Sequence, residues 1–355
     1  MVSSAAYARP ISKIAKPVIL PGSIAAIAYA AYNGKINGAI DLAKRFATGP
    51  GSKSRIFALL MVLVNWKSLP LAWTVRIFNT MISHVLIRPA HEHGPEVLFH
   101  PVISETHVTL LEVDYNIHKS NSTYFADLDV SRSHLASHLF ARGIRLLGNN
   151  AESKLVMDPS DPTKPARGRF GVSLGAVHCS FKKEIKPYQK YELWTRVLSW
   201  DRKWLYLVTH FVEAGAVKPK SWDAKGFGLT RNKDGVPEEW QKKIFATAVS
   251  KYVWKMGRLT VHPAIVIESS GLLPERPEGW VSTESSGMVT PNEPVIGNTS
   301  EEAKEHDAET GWDWKRIENE RLRGLEFAQH FAALDGLAGE FDGGENGALG
   351  KFALG

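Results

Sequence analysis

Asp114-Tyr115-Asn116-Ile117-His118-Lys119-Ser120-Asn121-Ser122-Thr123-Tyr124 separates an extended apolar stretch from a long helical pattern, and its reading decides the fold. Upstream, His107-Val108-Thr109-Leu110-Leu111-Glu112-Val113 is β-branched and apolar enough to predict a strand that delivers Asp114 to its end. Ser120, Asn121 and Ser122 each offer a side-chain acceptor to the N–H groups left unpaired at the start of a helix. Phe125, Leu128, Leu135, Leu139 and Leu146 then recur at about the helical period, interrupted by Arg132 and Gly143. The spacing predicts one long helix that ends near Gly148-Asn149-Asn150. Asp127 and Asp129 suit the positive end of its dipole, and Arg142 and Arg145 the negative end.

Such a junction places a carboxylate, an imidazole and helix N–H donors in one small volume. A carboxylate can act as base or nucleophile, and donors at a helix start can hold a carbonyl oxygen as it becomes negative. Turn chemistry alone also selects Asp, Asn and Ser at this position, as plain caps.

Asp114, His118 four residues on, Asn121 and then Tyr124 at steps of three, directly before a long helix, resemble the signature of hot-dog-fold acyl-CoA thioesterases of the 4-hydroxybenzoyl-CoA thioesterase type. That pattern reads Asp-x-x-x-His-x-Asn-Asn-x-x-Tyr. With Asp127-Leu128-Asp129-Val130-Ser131-Arg132 inside the helix, the chain looks closer still to proteins grouped with animal thioesterase superfamily member six and their fungal relatives. Ser120 departs from the pattern, where the first Asn of the pair is usual. The resemblance covers about residues 95–275. It implies an α+β hot-dog fold, an antiparallel sheet wrapped around a long central helix, and hydrolysis of an acyl-CoA or acyl-carrier-protein thioester without metal or cofactor. Asp114 would activate water or attack the carbonyl, His118 and Asn121 would complete the catalytic set, and Ser120, Ser122 and Tyr124 would line the substrate. The resemblance also implies a homodimer. Two other readings stay open: a non-catalytic, membrane-associated acyl-CoA-binding or accessory protein, and a thioester dehydratase or isomerase on the same fold with His118 as base.

Downstream, Glu152 to Arg169 is polar with Pro159, Pro162 and Pro165, and predicts a long surface flap. Gly171–Phe181, Tyr191–Trp200 and Trp204–Val212 predict strands, the last two joined by a hairpin at Asp201-Arg202-Lys203; Lys225–Leu229 is a further candidate. Trp240 to Met256 reads as a helix, left through Gly257–Pro263. Residues 276–310, rich in Pro, Ser, Thr, Glu and Gly, read as a flexible linker. Residues 311–336 read as a C-terminal amphipathic helix, with Arg321 interrupting its stripe, and residues 337–355 as a disordered tail.

Upstream, residues 1–56 hold eight basic side chains, Arg9 to Arg55, against the single acid Asp41, as in a mitochondrial transit peptide or a basic membrane-surface segment. Residues 57–94 contain all but the first residue of the apolar run Ile56–Trp66, too short for a bilayer core that needs about 20 residues, so the expectation is membrane association or packing against the body. A membrane-associated intracellular protein, mitochondrial or of the endoplasmic reticulum, is the localisation this suggests.

The chain has 355 residues and a net charge of +6, which permits anionic partners; with no nucleic-acid motif, nucleic acid is not expected among them. Its lone Cys179 excludes an intrachain disulfide framework, and on a strand it would face away from His178, making a poor nucleophile–base pair. No Gly-x-Ser-x-Gly elbow, phosphate loop or dinucleotide fingerprint is present, which disfavours serine hydrolases, ATPases and dehydrogenases. His134 and His138, and His91-Glu92-His93, are weak metal patterns that lack zinc-protease spacing. Lys182, Lys183, Lys186, Arg202 and Lys203 are candidates for CoA phosphates or plain solvated strand-edge residues.

Overall fold

The computed structural model describes residues 35–84, 94–219, 240–275 and 312–341, with 345 and 349. Residues 1–34, His91-Glu92-His93, Lys225–Leu229 and the 276–310 linker lie outside the described residues.

Three helices lead, α1 (Lys35–Thr48), α2 (Ser52–Val64) and α3 (Ala72–Ile82), so the boundary drawn at residue 56 falls inside α2. They are followed by β1 (Val102–His107), α4 (Tyr124–Leu139), α5 (Ala141–Gly148), the single-turn α6 (Asn150–Ser153), β2 (Met157–Asp158), β3 (Asp161–Pro165), β4 (Phe170–Phe181), β5 (Lys190–Trp200), β6 (Trp204–Glu213), β7 (Ile244–Met256), β8 (Leu259–Val261), α7 (Pro263–Ser269) and α8 (Trp314–Ala333). One antiparallel sheet runs β1-β5-β6-β7-β4, and β8 pairs with the end of β7.

Helix α4 lies on the inner face of this sheet. Near its start, Tyr124 and Leu128 pack with Tyr191, Leu193, Phe211 and Ala246; near its end, Leu135 and Leu139 join Val197, Trp200, Leu207 and Trp254. A polar layer divides the two clusters: Ser131 Oγ lies 2.7 Å from Thr195 Oγ1, which lies 2.8 Å from Thr209 Oγ1. Arg132, the break in the apolar stripe, is buried and donates to Ser250 Oγ at 2.6 Å. The buried hydroxyls of Ser131, Thr195, Thr209 and Ser250 are tolerated because each finds a partner.

Helix α8 covers the outer face along β5. Its backbone approaches so closely that a Cβ on Gly324 would meet Leu198 O at 2.0 Å. Arg321, the break in this second stripe, is likewise satisfied: it donates to Trp200 O at 3.0 Å and pairs with Glu318. The helix expected to reach residue 336 ends at Ala333, and 3₁₀ turns over Leu334–Glu340 run into the expected tail; Asp335 pairs with Lys251.

Several expectations are corrected. Residues 240–256 are not a helix: β7 occupies Ile244–Met256, with 3₁₀ turns at Trp240–Lys243. It lies between β6 and β4 and is buried on both faces, so its apolar residues fail to alternate. A turn at Gly257 and Arg258 then leads into β8. The expected flap at 152–169 is the β2–β3 hairpin, whose flanks are clasped by Asn150: its amide donates to Val156 O and Ala166 O. The single long helix breaks at Phe140 into α4 and α5. The strand expected at 107–113 ends at His107, and Leu110–Glu112 form a 3₁₀ turn, closed when Glu112 Oε2 accepts from Thr109 N at 2.9 Å.

Candidate active site

The junction segment is a strap from the end of β1 to the start of α4. Val108 anchors it, trading backbone bonds with the turn before β5: its N–H donates to Gln189 O, and its carbonyl accepts from Tyr188 N. Beyond the 3₁₀ turn, Asp114 N donates to His118 O and Ile117 N to Asp114 O, closing a tight hairpin, with Val113 and Lys119 paired across its base. The hairpin requires Ile117 to adopt a left-handed conformation (φ 64°), uncommon for a β-branched residue.

This hairpin brings Asp114 and His118 together. Asp114 Oδ1 lies 3.8 Å from His118 Nδ1 and accepts from Asn116 N at 2.9 Å. On the other side of the ring, His118 Nε2 lies 3.4 Å from Glu184 Oε1, in the turn after β4. The imidazole thus sits between two carboxylates, and it forms one wall of a cavity of about 230 Å³ shared with Asn121, Tyr124, Phe181, Lys182 and Glu184.

Asn121 opens a 3₁₀ turn (Asn121–Thr123) that runs straight into α4. Tyr124 is buried, with its ring 5.0 Å from Phe181 and 4.9 Å from Phe211 between centroids. Burial pushes its phenol well above the ordinary tyrosine range, so it stays protonated. Asp114 stands behind His118, off the cavity wall, as do Ser120 and Ser122, whose hydroxyls lie 3.1 Å apart and bond each other.

Directly beneath the strap lies a group that sequence reasoning did not identify. Lys67, between α2 and α3, has its Nζ 2.9 Å from Glu112 Oε2 and 3.2 Å from Asp127 Oδ2. Lys119 Nζ lies 3.0 Å from Glu112 Oε1 and 3.1 Å from the same Asp127 oxygen. Arg76 of α3 reaches Asp127 Oδ1 at 2.9 Å, and Tyr191 OH donates to Oδ2 at 2.5 Å. Burial alone would raise the Asp127 carboxyl, but Lys67, Lys119 and Arg76 outweigh it and hold the group well below the usual carboxylate range. For Lys67 burial dominates instead and lowers its ammonium, against the pull of Asp127. The sequence signal was slight: one lysine interrupting an apolar block, and acids beside Lys119 and in the first turn of α4. Glu184 gave no signal at all.

The remaining candidates separate. Lys182 borders the cavity and Lys183 adjoins it, whereas Arg202 and Lys203 lie in the β5–β6 hairpin at the opposite end of the sheet. His178 faces Phe331 on the outer side, and Cys179 packs toward the inner cluster, where burial pushes its thiol up to about 11. His134 and His138 are joined by His84, with ring centroids 5.3 and 5.2 Å from it. Among the described residues no group of three or more His, Cys, Asp or Glu is arranged to hold a metal ion.

The model of the thioesterase-like superfamily matches residues 108–244, from the strap to the start of β7. Over 302 residues the chain is 34% identical to "Thioesterase poxG" of Penicillium oxalicum, spanning 83% of this chain and 89% of that protein. The chain belongs to the thioesterase-like superfamily. A second member, "Probable thioesterase atnL" of Emericella nidulans, is 31% identical over 315 residues, covering 87% of this chain and 92% of its own. Among solved structures, BH1999 gentisyl-coenzyme A thioesterase is 15% identical with a TM-score of 0.28, covering 47% of this chain and 98% of that one. As a thioesterase-like protein the chain has the α+β hot-dog arrangement, with α4 as the helix against the sheet.

Proposed function

We propose that the protein hydrolyses an acyl thioester in the cavity beside α4, with Asp114 and His118 acting as one unit. The observation that carries this reading is the position of His118: its ring forms a wall of the cavity, held between Asp114 at 3.8 Å and Glu184 at 3.4 Å. Water at the cavity wall would give a proton to the His118–Asp114 pair as its oxygen attacks the thioester carbonyl carbon. The carbon–sulfur bond then breaks, and the departing thiolate takes up the proton, leaving a carboxylic acid and a free thiol. The N–H groups at the start of the Asn121–Thr123 turn point out of the helix and suit the carbonyl oxygen as it becomes negative. Tyr124 and Phe181 supply an apolar wall for the acyl group, and Lys182 and Lys183 a place for the phosphates of CoA or of a carrier protein's prosthetic arm.

A second copy would dock along β4, which borders the sheet and exposes Val172, Leu174 and Phe181, bringing its surface next to the cavity. A dehydratase reading calls for a parallel assay, because His118 rather than Asp114 reaches the cavity wall.

The test is release of free thiol from a panel of acyl-CoAs. Wild-type turnover that falls about 100-fold or more in both Asp114→Asn and His118→Gln supports hydrolysis by this pair. A folded protein that turns over no chain length yet binds acyl-CoA sinks the proposal in favour of a carrier role. Loss of water from a 3-hydroxyacyl thioester without thiol release identifies a dehydratase.

A further inference from the structure

Helix α2 reads Ser-Lys-Ser-Arg-Ile-Phe-Ala-Leu-Leu-Met-Val-Leu-Val, and none of its thirteen residues is buried. Ile56, Phe57, Leu59, Leu60, Val62 and Leu63 are all exposed, on every side of the helix. A helix apolar all round is ordinarily enclosed by protein or lipid. Helix α3 extends the surface with exposed Trp73, Val75, Phe78 and Met81, while its other side supplies the buried Thr80 and directs Arg76 to Asp127.

Three contacts fix where this surface lies. Asn65 Oδ1, at the end of α2, accepts from Leu111 N at 2.9 Å; Ser68 Oγ lies 2.6 Å from Thr109 Oγ1; and Lys67 is held in the buried ion cluster. The end of α2 therefore abuts the strap, and there the exposure continues: Leu111, Tyr115 and Ile117 are 63%, 93% and 73% exposed. The last two belong to the hairpin that carries Asp114 and His118.

The charge around the α1–α2 turn is mostly positive. Lys44, Arg45 and Lys53 are exposed around the α1–α2 turn, and Asp41 is the sole acid among residues 1–56. A two-fold contact with a second copy would set this basic rim against itself, whereas an anionic lipid surface neutralises it. At a rise of about 1.5 Å per residue, α2 spans roughly 20 Å, short of the ~30 Å hydrocarbon core. Among the described residues no helix is long and apolar enough to cross a membrane.

We propose that α2, α3 and the 110–117 strap form a docking face for an anionic lipid bilayer, on which the protein lies without crossing it. The candidate cavity then opens beside the lipid headgroups. Acyl chains would reach it from the membrane surface, a consequence that rests on the hydrolase reading; the docking itself does not.

The test is co-sedimentation of the full chain with vesicles of phosphatidylcholine, alone or mixed with phosphatidylserine. Wild-type protein is expected to pellet with the mixed vesicles, less so as salt is raised. Leu60→Glu combined with Leu63→Glu should lower that partitioning roughly tenfold or more, because it withdraws two apolar side chains from the lipid. The replaced residues are exposed, so the circular dichroism and melting of the variant should match wild type. Lys44→Glu combined with Lys53→Glu, which leaves the apolar face intact, should abolish the preference for phosphatidylserine. Pelleting equal in wild type and both variants overturns the proposal, as does wild-type protein that stays in the supernatant with both vesicle types. A dimer that Leu60→Glu with Leu63→Glu converts to monomer, with no vesicle binding by either protein, overturns it by assigning the face to a second copy. Thiol release is not part of this readout, so failure here leaves the hydrolase reading standing.

Discussion

Two sets of acids and bases lie a few residues apart in the strap and the start of α4, and the structure treats them oppositely. Lys67 and Lys119 meet Glu112 and Asp127 out of reach of water, Arg76 closes the cluster from its half-buried edge, and every oxygen of the two carboxylates has a cationic partner at 2.9–3.2 Å. His118 and Glu184 sit at the surface of a cavity, 3.4 Å apart, with Asp114 behind the ring at 3.8 Å and Glu184 largely in solvent. A saturated buried cluster has no capacity left for a ligand, and removing one member strands the others. A loosely paired, half-exposed set contributes little to stability but keeps its lone pairs and protons available. Charge that holds the fold and charge that suits chemistry are thus told apart by burial and saturation, not by residue type.

The largest effect that would break this contrast is expected from Asp127→Ala. It should cost about 3–5 kcal/mol in chemical denaturation, because Lys67 and Lys119 would be left buried with only Glu112 to offset them, and Arg76 would lose its partner. Asp114→Asn should do the reverse: thiol release falls about 100-fold, about 2.7 kcal/mol on the barrier, while the denaturation midpoint stays at wild type within experimental scatter. If Asp114→Asn unfolds the protein, or Asp127→Ala spares it, the division of labour is wrong.

An acid titration of stability sharpens the contrast further. Asp127 is depressed in the folded protein, so its contribution is complete above the ordinary carboxylate pKa of about 4 and is lost as pH falls below that value. His210 on β6 is pushed down to about 4 by burial first, then by Arg196 and Lys182, so it stays neutral in the fold. An unfolded histidine gains its proton near 6.5, so stability declines between pH 6.5 and about 4 on this account. His210→Gln should remove roughly 1–2 kcal/mol of that shallower limb and leave the steeper loss below pH 4 intact. The smallest effect is expected from Glu184→Gln, which removes the exposed partner of His118: turnover should change severalfold at most, with stability unchanged to within about 0.5 kcal/mol.

The sequence disclosed the local half of this arrangement. Asp114, His118, Asn121 and Tyr124 are separated by three or four residues, so one hairpin and one helix start hold them close; the residues alone read equally as turn caps, and the family resemblance singled them out. Glu184 and Lys67 reach the same region from 66 residues after His118 and 60 residues before Asp127, and no local pattern encodes a contact at that range. The breaks in the apolar stripes, Arg132 and Arg321, resemble flaws in the sequence and prove to be buried polar contacts to Ser250 and to Trp200 O. Strand β7 escapes its sequence pattern for a related reason. With α4 beneath the sheet and α8 above, its residues are buried without alternation, and even Lys251 is enclosed, beneath Trp204 and Phe331. Period-2 patterning marks a strand with one wet face, and β7 has none.

The seat of Lys67 also sets a limit on how the chain can be trimmed. The family match begins at Val108, which invites a cut just ahead of β1, and the basic, acid-poor start of the chain invites one by a processing protease. Either cut, if it fell beyond Arg76, would take away Lys67 and Arg76 and leave Asp127 and Glu112 facing Lys119 alone. A cut ahead of Lys67 leaves the whole buried cluster on the retained chain. For the same reason the α2–α3 junction and α3 belong with the body, which they reach through Lys67 and Arg76.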